Sequence, residues 1–213
     1  MESPPFLRRP QNYISIISWN INSVKTKLEK PNVFNMIKEY DIICLNEIKT
    51  TLPISCPGYI SISSCDSDNP SRGGTCVLIR NHLSSQVMQV DISKPDQVWF
   101  QMKCLPGILF GFIYIAPHDS TYFNESSFSY IQEKIKESTV SKYVIIGDVN
   151  ARMGQKVKDL SSHLDMSNLS YPTIPDPVSN PNANANLMYT ICCEEKLLIV
   201  NNARINNKVF NCD

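Results

Sequence analysis

The chain contains 213 residues, 42% of them hydrophobic and 19% charged, which is typical of a single globular domain with a substantial apolar core. The charges of its 20 basic and 20 acidic residues cancel, so its formal net charge is zero at pH 7. The composition therefore does not favour a basic protein that coats nucleic acid, although a local basic rim is compatible with it. No stretch of about 18 apolar residues occurs, and residues 1–12 lack the apolar core of a secretory signal, so we predict no membrane partner and no secretion.

The eight cysteines form no C-x-x-C pair, which argues against a zinc site of that type and against a disulfide scaffold. Cys44 and Cys76 fall inside apolar runs that are typical of strands, where buried free thiols are common. This pattern is typical of a reducing compartment. We therefore predict an intracellular protein, nuclear or cytoplasmic rather than secreted.

Runs of β-branched and aromatic residues predict that most of the regular structure is β-strand. Leu105-Pro106-Gly107 separates two of these runs and is interpreted as a hairpin turn. Three helices are predicted, over 31–40, 126–138 and about 187–195, because apolar residues recur there at helical spacing. The strands are predicted at 13–18, 41–45, 59–63, 74–80, 97–103, 108–115, 143–147 and 197–200.

Residues 159–186 interrupt this alternation of strands and helices. The segment is rich in Pro, Ser and Asn and has no hydrophobic period, so we interpret it as a long surface loop. Residues 1–12 are assigned to an N-terminal tail and residues 13–213 to one domain. The order of elements predicts the α/β or α+β class, with a mainly antiparallel β-core covered by helices.

The segment YVIIGDVNAR, residues 143–152, places two polar side chains at the end of a buried strand. Asp148 and Asn150 are two positions apart, and side chains at i and i+2 of an extended segment lie on one face. Such a pair often only closes an Asx turn or caps the following helix. It also suits a site that binds a metal, a water or a phosphate, and this segment alone leaves both interpretations open.

Three other predicted strands end in similar groups. Asn20 and Asn22 repeat the same spacing after the first strand, the pair 46–47 (Asn-Glu) follows the second, and Tyr114 lies near the end of the run 108–115. Each signal is weak alone. Their combination along one chain, in the order N-x-N, N-E, Y and G-D-x-N, favours one shared polar site over four independent turns.

These motifs resemble those of the endonuclease/exonuclease/phosphatase superfamily of metal-dependent phosphodiesterases. The segments that carry the likeness are ISWNINSV, DIICLNEIKT, RGGTCVLIR, GFIYIAPHDS, VIIGDVNARMG and NANLMYTICCEEKLLIVNNAR. The likeness runs from about residue 13 to the C-terminus and is nearest to the apurinic-type endonuclease domains of LINE-like, non-LTR retrotransposons. It implies a DNase I-like fold, a two-sheet β-sandwich flanked by helices.

The resemblance also implies the chemistry of phosphodiester hydrolysis, with DNA as the substrate and a reverse-transcriptase domain downstream in the parent protein. It makes Glu47 the carboxylate ligand of Mg²⁺ or Mn²⁺, and Asn20 and Asn22 either further ligands or groups that orient Glu47. Asp148 would align or deprotonate the attacking water, while Asn150 and Tyr114 would donate to a phosphate oxygen. The implied catalytic set is Asn20, Glu47, Tyr114, Asp148 and Asn150.

The sequence departs from the family pattern at two places. Pro117 stands where the pattern has Asn, three residues after Tyr114, and His118 comes one position later. The family's final Ser-Asp-His element has no counterpart, because the three histidines are His82, His118 and His163 and none stands in that context. We therefore expect the chain to lack the final strands of the fold, to be C-terminally incomplete and to be inactive in this form.

Two alternatives stay open at this point. A phosphatase or deadenylase of the same superfamily would carry the same motifs, since the loops that select the substrate cannot be recognised in one sequence. A catalytically inactive binding module would share the fold, and the missing Ser-Asp-His element favours it. The signatures G-x-S-x-G, G-x-x-x-x-G-K-[ST] and H-E-x-x-H, which mark other enzyme classes, do not occur.

Overall fold

The apolar runs of the sequence form strands and helices close to the predicted positions. The computed structural model describes residues 13–25, 27–154, 156–157, 160, 169–170, 180–199, 204–205 and 208–209. The predicted tail 1–12 and most of the predicted loop 159–186 lie outside these residues, so the structure tests neither prediction in full.

The first sheet contains β1 (Ile16–Asn20), β2 (Ile42–Asn46), β3 (Tyr59–Ser64) and β4 (Thr75–Arg80), and the helix α1 (Pro31–Ile37) connects β1 to β2. The strand order is β1-β2-β4-β3. β1 and β2 are parallel, which is why a helical connection separates them, and the other pairs are antiparallel.

The second sheet contains β5 (Val87–Asp91), β6 (Gln97–Met102), β7 (Leu105–Tyr114) and β8 (Lys142–Asp148), and the helix α2 (Ser126–Glu137) connects β7 to β8. The order is β5-β6-β7-β8, and only β7 and β8 are parallel. Each sheet therefore has one parallel pair at an edge. The described part of the chain also contains a 3-10 helix (Asn81–Gln86), the helix α3 (Ala183–Glu194) and a small sheet of β9 (Leu169–Ser170), β10 (Arg204–Ile205) and β11 (Lys208–Val209).

The two large sheets pack face to face around a core that includes three stacked phenylalanines. Ile42 and Cys44 face this core from the first sheet, and Phe100, Phe110 and Phe112 face it from the second, with ring centroids 5.2–6.4 Å apart. The outer face of the first sheet packs against α1, and that of the second packs against α2 and α3. The predicted two-sheet sandwich flanked by helices is confirmed.

Cys44 and Cys76 are buried free thiols, as their positions inside apolar strands predict. Burial raises the pKa of each thiol to about 12, so both stay protonated and unreactive at neutral pH. Within the described part of the chain, each helix is too short or too polar to cross a bilayer.

Two predicted boundaries in the sheets are wrong. β1 begins at Ile16 rather than at residue 13. At Ser15 only the carbonyl bonds to the backbone of β2, because its N–H and hydroxyl donate to the Asp41 carboxylate at 2.8 and 2.6 Å. The turn between β6 and β7 lies at 103–104 rather than at 105–107. The Pro-Gly pair falls in a register irregularity of β7, where Gly107 has a φ of 81°.

The predictions around α3 also need correction. The helix begins at Ala183 rather than near 187, because Asn182 caps its N-terminus by accepting a hydrogen bond from the Ala185 N–H at 3.0 Å. Helix therefore occupies the end of the predicted loop 159–186. Residues 197–199 form no strand; Leu197 instead packs against the core under α2 and α3.

β7 carries a glycine at its most crowded point. Gly111 pairs with Trp99 across the β6–β7 ladder, and the ring of Trp99 is almost fully buried. A Cβ at position 111 would lie 2.6 Å from Cη2 of that ring. Because the indole is buried in a close-packed interior, an added methyl group would force the ring or the strand to shift.

We expect Gly111→Ala to lower the free energy of unfolding by about 1–3 kcal/mol, because the added methyl overpacks a buried aromatic contact. Urea unfolding followed by circular dichroism measures the change. Ser61→Ala, at an exposed position of β3, is the control and should leave the transition where it is. An unchanged midpoint for Gly111→Ala would show that Trp99 can move aside.

Candidate active site

The two parallel strand pairs end side by side and bring the predicted polar residues together. Asn20 at the end of β1 pairs in register with residue 46 of β2, and Tyr114 at the end of β7 pairs with Asp148 of β8. β1 and β8 are the edge strands of their sheets, and side chains at their ends are in hydrogen-bond contact. The ends of four strands, two from each sheet, therefore form one polar cluster.

Asn20 links the carboxylates of the two sheets. Its Nδ2 donates to Oε1 of Glu47 at 2.7 Å and to Oδ2 of Asp148 at 2.9 Å. Its Oδ1 accepts from the backbone N–H of Asn22 at 3.1 Å, which fixes the orientation of the amide. An amide that donates both hydrogens holds two like-charged groups close together and offsets part of their repulsion. In this geometry Asn20 orients Glu47, one of the two roles predicted for it.

Glu47 receives two further contacts. Nζ of Lys49 lies 3.0 Å from Oε2, and the Tyr114 hydroxyl donates to Oε1 at 3.3 Å. Burial alone would raise the pKa of Glu47, but hydrogen bonds from Asn20 and Lys49, the charge of Lys49 and the Tyr114 hydroxyl together hold that pKa below its usual value. Glu47 is therefore a carboxylate at neutral pH, as a metal ligand must be.

The backbone of Glu47 has a φ of 54°, a left-handed conformation that is uncommon for this residue type. Asn22 and Asn150 have φ values of 45° and 49°. Three of the predicted site residues thus adopt a sparsely populated conformation directly after their strands. Strained residues of this kind cluster at functional sites more often than in ordinary loops.

Tyr114 is buried at the centre of the cluster. Burial, the charge of Glu47, the hydrogen bond to Glu47 and the charge of Asp148 all raise the pKa of its hydroxyl above the usual value. The phenol consequently stays protonated throughout the physiological range. A neutral hydroxyl is a hydrogen-bond donor, and here it donates to Glu47.

Asp148 and Asn150 form the Asx turn that was one of their two interpretations. Oδ1 of Asp148 accepts from the backbone N–H of Asn150 at 3.0 Å, while the other oxygen faces Asn20. The amide of Asn150 donates to the carbonyl of Ile115 at 2.9 Å and keeps a second hydrogen on the same nitrogen. The turn therefore orients both side chains without using all of their hydrogen-bonding capacity.

Gly147 allows β8 to run close enough to β7 to place Asp148 in the cluster. It has a φ of 149°, and a Cβ at this position would overlap the carbonyl oxygen of Ile113 on the neighbouring strand. Only glycine permits this close approach of the two backbones. The close approach of β8 to β7 therefore requires a glycine directly before Asp148.

The predicted residue Asn22 lies at the margin of the cluster, as does His118, to which the sequence assigned no role. Asn22 is exposed, and its Oδ1 accepts from Nζ of Lys49 at 2.6 Å, so it supports the lysine that contacts Glu47. His118 is also exposed and packs against the ring of Phe123, with centroids 4.6 Å apart. Among the described residues, neither side chain forms a hydrogen bond with the carboxylate of Glu47 or of Asp148.

Asn46, the neighbour of Glu47 in the sequence, stabilises the packing of the two sheets. It is fully buried, and its Nδ2 donates to the Thr75 hydroxyl at 3.1 Å and to the carbonyl of Ile113 at 3.0 Å. Thr75 belongs to the first sheet and Ile113 to the second. One amide thus joins the two sheets directly beneath the cluster.

Two asparagines that sequence reasoning missed support the loops of the site. Asn184 is fully buried and donates to the carbonyls of Ala116 at 3.0 Å and Val149 at 2.8 Å. Asn182 donates to the carbonyl of Asn150 at 2.8 Å while it caps α3. The sequence does contain one recognisable signal, an Asn before an apolar run. This signal predicts the start of a helix, but it does not predict which groups the capping Asn contacts.

The donor chemistry fits a hard divalent cation better than a soft one. Among the described residues, no group of three or more His, Cys, Asp or Glu side chains is placed to hold a metal ion. The cluster offers the carboxylates of Glu47 and Asp148 and neutral amide groups. Mg²⁺ is typically held by one or two carboxylates and keeps several of its waters, so this sparse set is compatible with it and with weak binding.

Known proteins resemble this chain in sequence and in fold. The model of the Endonuclease/Exonuclease/phosphatase family matches residues 17–155. That range contains nearly all of β1, the whole of β2 to β8 and every side chain predicted for the site. A search of curated protein sequences gave no significant match.

Several solved structures resemble the fold. The catalytic domain of Xenopus laevis APE2 has a TM-score of 0.52 at 14% identity, covering 84% of this chain and 67% of that one. The 3′-5′ exonuclease NExo from Neisseria meningitidis has a TM-score of 0.50 at 20% identity, covering 67% and 60%. An AP endonuclease from Archaeoglobus fulgidus has a TM-score of 0.48 at 16% identity, covering 70% and 63%. The chain thus spans 60–67% of these proteins' lengths.

We expect Asn184→Ala to lower the free energy of unfolding by roughly 1–3 kcal/mol, because two backbone carbonyls beside the site lose their donor. Thermal or urea unfolding tests this. Asn186→Ala is the matched control, since Asn186 lies two positions further along α3 and is exposed. Equal effects of the two substitutions would contradict a supporting part for Asn184.

Proposed function

The chain belongs to the Endonuclease/Exonuclease/phosphatase family, and on that premise we propose that it is a metal-dependent phosphodiester hydrolase domain whose substrate is DNA. One contact supports the proposal above the others. The amide of Asn20 holds Glu47 of the first sheet and Asp148 of the second within one hydrogen bond each. Two carboxylates that are kept together in this way, with a neutral phenol beside them, suit hydrolysis of a phosphate ester.

Each side chain of the cluster has a distinct part in the proposed reaction. Glu47, held as a carboxylate by Lys49, contributes the charged ligand for Mg²⁺ or Mn²⁺, and Asn20 and Asn22 fix its surroundings. The cation, when bound, polarises the phosphoryl oxygen and stabilises the leaving oxygen. Asp148, fixed through both of its oxygens, aligns or deprotonates the attacking water.

Charge that develops on the phosphate needs donors in fixed positions. Tyr114 remains protonated because burial and the neighbouring carboxylates raise its pKa, so its hydroxyl can donate to a phosphate oxygen. The second amide hydrogen of Asn150 is available for the same purpose. His118 has no part in this scheme.

DNA is the proposed substrate because the motifs most resemble those of LINE-like retrotransposon endonucleases. One protein of similar fold is a 3′-5′ exonuclease, which supports a nucleic acid in general. By the same resemblance, we propose a downstream reverse-transcriptase domain in the parent protein. The buried free thiols support an intracellular location.

One observation favours a second candidate function. Pro117 stands where the family pattern has Asn, so a donor that the family resemblance implies is absent at this position. A catalytically inactive module that binds nucleic acid through the same cluster would explain this absence. A phosphatase or deadenylase activity has no comparable observation in its favour.

We expect Mn²⁺ to bind weakly at a single site, and Glu47→Gln to weaken this binding roughly tenfold or more, because the substitution removes the charged ligand. Isothermal titration calorimetry measures the affinity. Glu133→Gln removes the same charge from an exposed position of α2 and should bind Mn²⁺ like the unmodified chain. Equal affinities for all three proteins would contradict the assignment of Glu47.

We expect the 213-residue chain to retain at most a trace of nicking activity on supercoiled plasmid, too slow to be useful, since loss of one donor from such a site commonly costs on the order of 10²–10³ in rate. The nicking should require Mg²⁺ and disappear in Asp148→Ala. Asp119→Ala, which changes an exposed acid in the β7–α2 connection, should nick like the unmodified chain. DNA binding without any Asp148-dependent nicking would favour the binding module instead.

A further inference from the structure

Asp96 is a half-buried carboxylate close to the catalytic cluster, and the proposed chemistry does not use it. It lies in the β5–β6 connection, directly before β6 begins at Gln97. Its backbone has a φ of 68°, a left-handed conformation that Asp adopts only occasionally. A strained residue persists only where the surrounding structure holds it, and the contacts of Asp96 are with segments that carry site residues.

The carboxylate of Asp96 holds a pair of glycines directly before β4. Its Oδ1 accepts from the Gly74 N–H at 2.6 Å, a short bond of the charge-assisted kind. Gly73 and Gly74 have φ values of 48° and 85°. A Cβ at position 73 would lie 2.8 Å from the same oxygen, so the carboxylate packs directly against the glycine pair. A side chain from the second sheet thus fixes a backbone segment of the first.

The glycine pair supports the segment that follows Glu47. The Ile48 N–H donates to the carbonyl of Gly74 at 3.2 Å. The Lys49 N–H donates to the carbonyl of Gly73 at 3.0 Å. Because Glu47 itself has a left-handed φ of 54°, the direction of its side chain depends on this support of the backbone beside it.

The backbone carbonyl of Asp96 bonds to the other side of the cluster. It accepts from the Tyr114 N–H at 2.9 Å and from the Thr75 hydroxyl at 2.8 Å. Tyr114 is the residue whose hydroxyl donates to Glu47 at 3.3 Å. One residue therefore bonds to the strand that carries Tyr114 and, through the glycine pair, to the segment that carries Glu47.

We propose that Asp96 is a positioning residue of the active site, which sets the distance and direction of Glu47 relative to Tyr114. It acts through the glycine pair and touches neither the cation nor the phosphate. The inference rests on the proposed function, because it takes Glu47 as the ligand of the cation. Loss of the carboxylate leaves the Gly74 N–H without this acceptor, and Glu47 is then less preorganised for the cation.

Isothermal titration calorimetry with Mn²⁺ on variants of the full chain tests the proposal. Asp96→Gly removes the carboxylate but permits the left-handed φ. It should weaken Mn²⁺ binding roughly tenfold, the lower end of the range for groups that orient metal ligands. Asp96→Asn keeps an oxygen acceptor and tolerates the same φ, so it should bind within about twofold of the unmodified chain. Asp68→Ala removes the same charge from an exposed position of the loop before β4 and should change nothing.

Amide hydrogen exchange provides a second measurement, which needs no variant. A contact that strengthens cation binding must itself be strengthened by the cation, because coupling between two sites is reciprocal. The chain contains seven glycines, so labelling with ¹⁵N-glycine gives a simple spectrum. Saturating Mg²⁺ should slow exchange at the Gly74 amide several-fold, with roughly tenfold as the limit set by the coupling. Exchange at Gly111, within the β6–β7 ladder, should change less.

The outcomes separate the positioning role from the proposed function. Unchanged Mn²⁺ affinity in Asp96→Gly, or an equal loss in Asp96→Asn or Asp68→Ala, would overturn the positioning role and leave the proposed function standing. An unchanged exchange rate at Gly74 would overturn that role even if Asp96→Gly does not fold. Mn²⁺ binding that is absent, or that is undiminished in Glu47→Gln, would overturn the proposed function and the inference together.

Discussion

The amide of Asn20 is the contact on which the arrangement of the site depends. Two carboxylates from different sheets repel each other, and a single nitrogen that donates to both holds them in place. The amide can do this only if the ends of β1 and β8 stay adjacent. The buried bridge from Asn46 to Thr75 and Ile113 fixes the sheets against each other directly below. The geometry of the polar cluster therefore depends on how the two sheets of the sandwich pack against each other.

The likeness between the two sheets explains why the cluster forms at this end of the molecule. Each sheet carries one parallel strand pair at an edge, and a helix connects the strands of each pair. The carboxyl ends of parallel strands lie at the same side of a sheet, where open α/β proteins bind their ligands. The supporting asparagines of α3 then fix the two loops that leave β7 and β8.

Much of this could be predicted from local signals. Strand runs and their polar ends were recognisable because β-branched stretches and i, i+2 spacing are short-range properties. The contacts of Lys49, Asn182 and Asn184 could not be predicted, because their partners lie on other elements and no local sequence pattern indicates them. The turn at 103–104 was missed because Pro-Gly is also compatible with a bulge. β5 was missed because its side chains are half exposed and its apolar pattern is weak.

The bond between Asn20 and Asp148 joins residues 128 positions apart. Loop closure over such a distance is entropically unfavourable until much of the chain between has folded, so contacts of this kind form late. During synthesis the first sheet can assemble before the strand that carries Asp148 has left the ribosome. A nascent chain therefore has no complete pair of carboxylates until both sheets have docked. The cluster is therefore completed only in the last stage of folding, after every element that contributes to it has been synthesised.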